Sequence, residues 1–242
     1  MDNPELASDA TAIVVLGEFD PLLVTPRWLR QMDLIGAEDY ESYEVELISS
    51  KASVVNFGSI QIKVVPGTLE VNTEAVSDVE AARDLAAGIL LSGGTSSISA
   101  MGINRTVHFS VPFEDWHAIG DALAPKEVWN GVLHLPGMMS VGLMGARDDG
   151  YSGSINVNVQ PSAAIRPGVF ISINDHYTLT HADPVTQRFG PAPPEQTDLD
   201  RSPDKVTVAT KIMTEGFSAS RGRSQSIIDR VAALGDSTGG SQ

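Results

Sequence analysis

The chain has 242 residues, no cysteine and a formal net charge of −15. That length can bury a full core without covalent staples. The missing cysteine excludes disulfides, thiol catalysis and cysteine-based zinc sites, and the negative balance opposes a nucleic-acid partner, which needs a basic surface that releases counterions. No apolar run reaches the length of a membrane span, and the N-terminus lacks the basic-then-apolar pattern of a signal peptide. A cytoplasmic protein without a membrane partner is therefore expected.

Taken in chain order, residues 1–10 read as a disordered tail. Residues 11–19 predict a strand, because Ile13, Val14, Val15 and Leu16 are apolar and mostly β-branched. Thr25 and Pro26 then supply an N-cap and a first-turn proline, with Trp28, Leu29, Met32 and Ile35 on one helical face up to Gly36. Strands are expected over 43–48 and 54–57. Ile60, Ile62 and Val64 alternate with Gln61 and Lys63 in the period of a half-buried strand, and Pro66-Gly67 turns the chain into a return strand at 69–73. Ser77 to Glu80 has capping-box spacing ahead of a helix with Val79, Ala82, Leu85, Ala86 and Ile89 on its apolar face. The second half begins with a strand over 98–111. A helix presenting Phe113, Trp116, Ile119 and Leu123 follows, then a short helical piece around Trp129 that packs in the core or at a dimer contact. Strands are expected over 138–145, 154–159 and 169–174. Residues 183–201, with four prolines, read as a surface loop. A C-terminal helix follows with Met213, Phe217, Ser220, Ser224, Ile227, Val231 and Leu234 in one stripe, and residues 236–242 read as a disordered tail.

Two segments resemble each other: residues 59–66 (SIQIKVVP) and 154–161 (SINVNVQP). Phe19 and Trp28 precede the first, and Phe109 and Trp116 the second. The expected fold class is thus α+β: two pseudo-repeats of β-α-β-β(-β)-α, residues 11–95 and 96–235, share an antiparallel sheet with helices on one face and together form one domain. Gln61, Lys63, Asn156 and Asn158 would leave the other face polar, and a groove on that side is where a partner is expected. This order resembles that of TATA-binding-protein-like and helix-grip folds over about residues 11–234; its exposed sheet positions are mostly neutral, so DNA binding is not implied. The stretches Gly102-Ile103-Asn104-Arg105, Ala124-Pro125-Lys126-Glu127 and Asn174-Asp175-His176-Tyr177 are similar to those of a sporadically distributed family of bacterial proteins of unknown function. That resemblance implies no activity.

Charges are uneven. Glu38, Asp39, Glu41, Glu44 and Glu46 form an acidic segment, whereas Arg201, Lys205, Lys211, Arg221, Arg223 and Arg230 cluster towards the C-terminus. These are either two solvated surfaces or patches that meet each other or a partner. No phosphate-binding loop occurs: Gly93-Gly94-Thr95-Ser96 lacks the lysine, and no cofactor is expected. Candidate binding residues are Asn104, Arg105 and His108 on one strand, and Asp175 and His176 at the end of another. A buried Arg105 would need a carboxylate partner. Asp175, His176, His181 and Asp183 have metal-ligating side chains, but the same segment also reads as a strand-end turn. The leading expectation is a non-enzymatic protein-binding or regulatory module. Edge strands of such a sheet can pair, which allows a homodimer. The alternatives are a metal-dependent hydrolase using residues 175–183, and a virion or assembly component.

Overall fold

The alternation of apolar and polar residues is realised as one nine-stranded antiparallel sheet, with strand order β2-β3-β4-β5-β1-β6-β9-β8-β7. The structure is a computed structural model that describes residues 5–179 and 204–236. The proline-bearing 183–201 stretch, His181 and Asp183 lie outside the described residues, as do residues 1–4 and 237–242. The strands are β1 (Leu6–Phe19), β2 (Glu44–Ile48), β3 (Ser53–Phe57), β4 (Ile60–Val65), β5 (Thr68–Thr73), β6 (Thr95–Ser110), β7 (Val141–Ala146), β8 (Gly153–Pro161) and β9 (Gly168–Thr178). The helices are α1 (Pro26–Gln31), α2 (Ala37–Ser42), α3 (Val79–Leu91), α4 (Phe113–Leu123), α5 (Asp204–Lys211) and α6 (Phe217–Asp236). Among the described residues no helix is long and apolar enough to cross a membrane.

β1 and β6 pair along most of their length at the centre of the sheet. β1 starts at Leu6, so residues 6–10 are strand and not tail. Leu6 stands opposite Phe109 and Asp9 opposite Val107, which gives this polar stretch a ladder to pair with. Counting outward from the β1–β6 pair, β4 and β8 both stand second, each next to a strand that pairs with a long one. The similar segments 59–66 and 154–161 therefore occupy matching positions. The two sides differ in size, with β2 extending one side by a strand.

Inward positions follow the period of two. Ile13 and Val15 of β1, Met101, Ile103, Val107 and Phe109 of β6, and Ile171 and Ile173 of β9 are all buried. On this face α3 packs on β5 and β1, α5 on β6, and α6 on β6 and β9, while α4 packs on α6. The core falls into two apolar clusters. One holds Ile13, Leu69, Ile89, Met101 and Phe217; the other holds Val107, Phe109, Ile119, Ile171 and Ile228.

Three local expectations are revised. α1 keeps its cap, since the Trp28 amide donates to Thr25 Oγ1 at 3.3 Å, but it stops at Gln31. The chain turns through Asp33 at a φ of 56°, which leaves Met32 exposed. No capping box forms at Ser77. Residues Val76–Asp78 make a 3-10 turn, and the Ser77 hydroxyl donates to the neighbouring Asp78 carboxylate at 3.0 Å. The C-terminal helix is interrupted by a π turn at Ile212–Gly216. The wider turn shifts the helical register, so that Ile212, Met213 and Phe217 are all buried before the stripe resumes at Ser220, Ser224, Ile228 and Val231.

Gly153 opens β8 at a φ of 138°, and a Cβ there would lie 2.1 Å from the His176 carbonyl oxygen. Neither the dihedral nor the β8–β9 spacing admits a side chain. Gly153→Ala is expected to lower the unfolding free energy by about 1–3 kcal/mol, read from the urea midpoint at constant slope.

Candidate functional site

The pleat sends successive side chains to opposite faces, and this separates the candidate residues. Asn104, His108 and His176 lie on the face turned away from the helices, whereas Arg105 and Asp175 point under the helices. Asp175 and His176 therefore face opposite sides of the sheet, and His181 and Asp183, read with them as metal ligands, lie outside the described residues. Among the described residues no group of three or more His, Asp or Glu side chains is placed to hold a metal.

The face turned away from the described helices is crossed by a row of side-chain amides. In register across the sheet stand Asn56, Gln61, Asn72, Ala12, Asn104, Asn174 and Asn156. On the β3–β5 side the amides are linked. Asn56 Nδ2 donates to Glu46 Oε1 at 2.8 Å, Gln61 Nε2 to Asn56 Oδ1 at 3.0 Å, and Asn72 Nδ2 to Gln61 Oε1 at 3.4 Å. On the β6–β9 side the links fail: Oδ1 of both Asn104 and Asn174 is buried without a hydrogen-bond donor. Gly102 lies beside them, where a Cβ would stand 3.1 Å from Asn104 Oδ1. His108 closes one end of this region. Its Nδ1 is 2.8 Å from Ser162 Oγ, and its ring packs on Phe170 at 4.7 Å between centroids. His176, opposite Gly102 and Ser154, stands at the other end. Burial first, and the Arg147 charge second, hold its pKa below the ordinary histidine value.

Under the helices lies a buried ionic layer between the two apolar clusters. Arg105 Nε and Nη2 donate to Asp9 Oδ1 and Oδ2 at 2.8 and 2.7 Å, and its Nη1 donates to Gln225 Oε1 at 2.9 Å. Arg221 donates to Thr11 Oγ1 at 2.8 Å and stands 3.9 Å from Asp9. The second group centres on Asp175, which accepts from Arg147 and from Arg223 Nη2 at 2.9 Å. Arg147 also pairs with Asp149 and lies over the Tyr177 ring at 3.6 Å. Burial works against the Arg147 charge, but its hydrogen bonds to Asp149 and Asp175 more than offset this and raise its pKa. The Asp149 carboxyl is held below its usual range, chiefly by the Arg147 hydrogen bond. Arg221 is shifted down by burial and by the like charge of Arg105.

Arg221 and Arg223 of the basic C-terminal cluster thus meet carboxylates of β1, β9 and the β7–β8 turn, not the acidic segment 38–46. Within that segment, Glu46 accepts from Asn56 and from Gln61 at 2.8 and 3.1 Å. Sequence reading missed Asp9, which it placed in a tail, and gave Arg147 no role. The signal for Asp9 was the inward parity of Val15, Ile13 and Thr11, which continues to residue 9.

No protein-family model matches the chain, and neither does any curated protein. Among solved structures, the chain is similar to the crystal structure of DynU16, a protein in the dynemicin biosynthetic locus. The identity is 14% and the TM-score 0.23, over 92% of this chain and 98% of that one. At that level of superposition the match carries no argument about fold or function.

The depressed pKa of His176 has a signed consequence. The unfolded chain binds its proton more readily than the folded one, so this contribution to stability is complete above the ordinary value of 6.5. It is lost as the pH falls from there towards the folded value. Urea unfolding between pH 7.5 and 5 is expected to show this loss in the wild type and a flatter dependence in His176→Gln.

Proposed function

We propose that the protein is a non-enzymatic binding module with a protein partner, and that its amide-lined sheet face is the binding surface. The observation that carries this reading is the pair of buried, unsatisfied acceptors on Asn104 and Asn174. A buried acceptor without a donor costs about 1–3 kcal/mol, so rotation of these amides towards a ligand that brings N–H groups recovers that cost on binding. Backbone amides of an extended polypeptide are such donors, and the alternating amides of Asn56, Gln61, Asn72 and Asn156 offer further donors and acceptors in one line across the sheet. The row itself carries no formal charge, so recognition there rests on hydrogen-bond geometry and not on ion pairing. His108 and Phe170 add a ring pair at one end that can cover an apolar side chain.

The same surface suits a scaffold built from two related units. The matching positions of β4 and β8, and the similarity of residues 59–66 to 154–161, support a division near residue 95. On this reading the two units extend one continuous face across the β1–β6 junction, and the small residues Ala12 and Gly102 at that junction give a ligand backbone room to approach.

The test is affinity purification from the native host with the wild type, Asn104→Leu/Asn174→Leu and Glu5→Gln as baits. One stoichiometric protein retained by the wild type and Glu5→Gln, and at least tenfold depleted with the double variant, is the expected result. Equal recovery with all three baits, or none with the wild type, contradicts the reading.

A further inference from the structure

The two edges of the sheet are built differently. β2 carries Glu44 and Glu46 and a register shift between Val45 and Leu47, the features that keep an edge strand from associating. β7, with the sequence VGLMGA, has no charge and no proline, and runs in unbroken register with β8. The segment that leads into it is equally bare: residues 128–146 contain no Asp, Glu, Lys or Arg in a chain of net charge −15. Residues 85–104 are also uncharged, but they form α3 and β6 and supply the core. The 128–146 segment instead presents its apolar side chains outward, with Val132 74%, Leu135 84%, Met139 88% and Leu143 56% exposed. Trp129 is 48% exposed. Clefts adjoin these side chains. One of about 450 Å³ lies between α4 and Leu135-Pro136, and another of about 260 Å³ is lined by Trp129, Leu133 and Met139.

The two clefts share Pro136, Gly137 and Met138 as walls, and so many exposed apolar side chains around them are rare on a chain that works alone. The neutrality of this patch selects the occupant. Two molecules of net charge −15 repel over most of their surfaces, and a patch whose cleft walls carry one cation and one anion paired with each other, Lys126 and Asp121, is where a second copy approaches at least cost. Knobs such as Leu135 and Met139 beside clefts on the same patch are what an isologous contact needs, because each copy then fills the other's clefts. We propose that two copies of this chain associate about a two-fold axis through residues 128–146, burying Trp129, Leu135, Met139 and Leu143 between them. This pairing is centred on the β7 side, where Leu143 shares a cleft with Asn156 and Asn174 of the amide-lined face, and its test reads self-association without a partner protein.

Sedimentation velocity of the full chain from 1 to 100 μM tests it. The expected wild-type species is a dimer of twice 25.7 kDa, and Leu135→Lys/Met139→Lys is expected to lose it across the range with an unchanged circular dichroism spectrum. Val45→Lys on β2 is expected to retain it. Because the chain has no cysteine of its own, Met139→Cys provides a second reading: mild oxidation is expected to give a disulfide-linked dimer, and Ser50→Cys none. A wild type that stays monomeric, a dimer that survives the double lysine variant, association into a longer series, or equal cross-linking at Ser50→Cys overturns the proposal.

Discussion

The structure depends on a charged layer placed inside an apolar interior. Along β6 the inward positions run Met101, Ile103, Arg105, Val107 and Phe109, and along β9 they run Ile171, Ile173, Asp175 and Tyr177. On α6, Phe217 belongs to one apolar cluster and Ile228 and Val231 to the other, with Arg221, Arg223 and Ser224 between. Each element passes from apolar to polar and back at the same level, so the charges meet only when strands and helix are in register. A one-residue slip of β1 would turn Asp9 to the opposite face and leave Arg105 buried without a carboxylate. Such a layer adds little net stability compared with an apolar replacement, but it strongly penalises mispairing. Its contribution is to fix how α6 lies on the sheet.

That constraint frees the opposite face. Once α3, α5 and α6 cover the inward side, no described helix packs on the outward side, and its row of amides follows hydrogen bonding. The row is linked where Glu46 and Gln61 supply partners, and broken at Asn104 and Asn174 beside Gly102. The adjacent residues Asn104 and Arg105 show how one strand serves both needs, with the arginine locking the interior and the asparagine facing outward.

Much of this fold was legible in the sequence, because period-two alternation is a local signal. Residues 60–65 and 154–159 read as strands, and Thr25-Pro26 marked the start of α1. The single sheet followed from hairpin turns such as Pro66-Gly67. What the sequence hid were long-range partners. Asp9 lies 96 residues from Arg105, and no local pattern shows that a polar N-terminal stretch will find a ladder. The π turn at Ile212–Gly216 was equally hidden, since a shift of helical register looks like an imperfect stripe. For the site, the sequence brought forward Asn104, Arg105, His108, Asp175 and His176. Strand parity separates Asn104 from Arg105, but Asp175 and His176 lay beyond the strand expected over 169–174, so no local pattern assigned them to faces.

The central claim is that Asp9 and Arg105 are needed as a pair and not singly, and a double-mutant cycle in urea tests it most directly. Asp9→Leu and Arg105→Leu are each predicted to cost about 3–5 kcal/mol by leaving a buried charge without its bidentate partner, while the double variant costs well below their sum because neither member of that pair remains and Arg221 keeps its bond to Thr11. Single variants within about 0.5 kcal/mol of the wild type, or costs that simply add, would contradict the account.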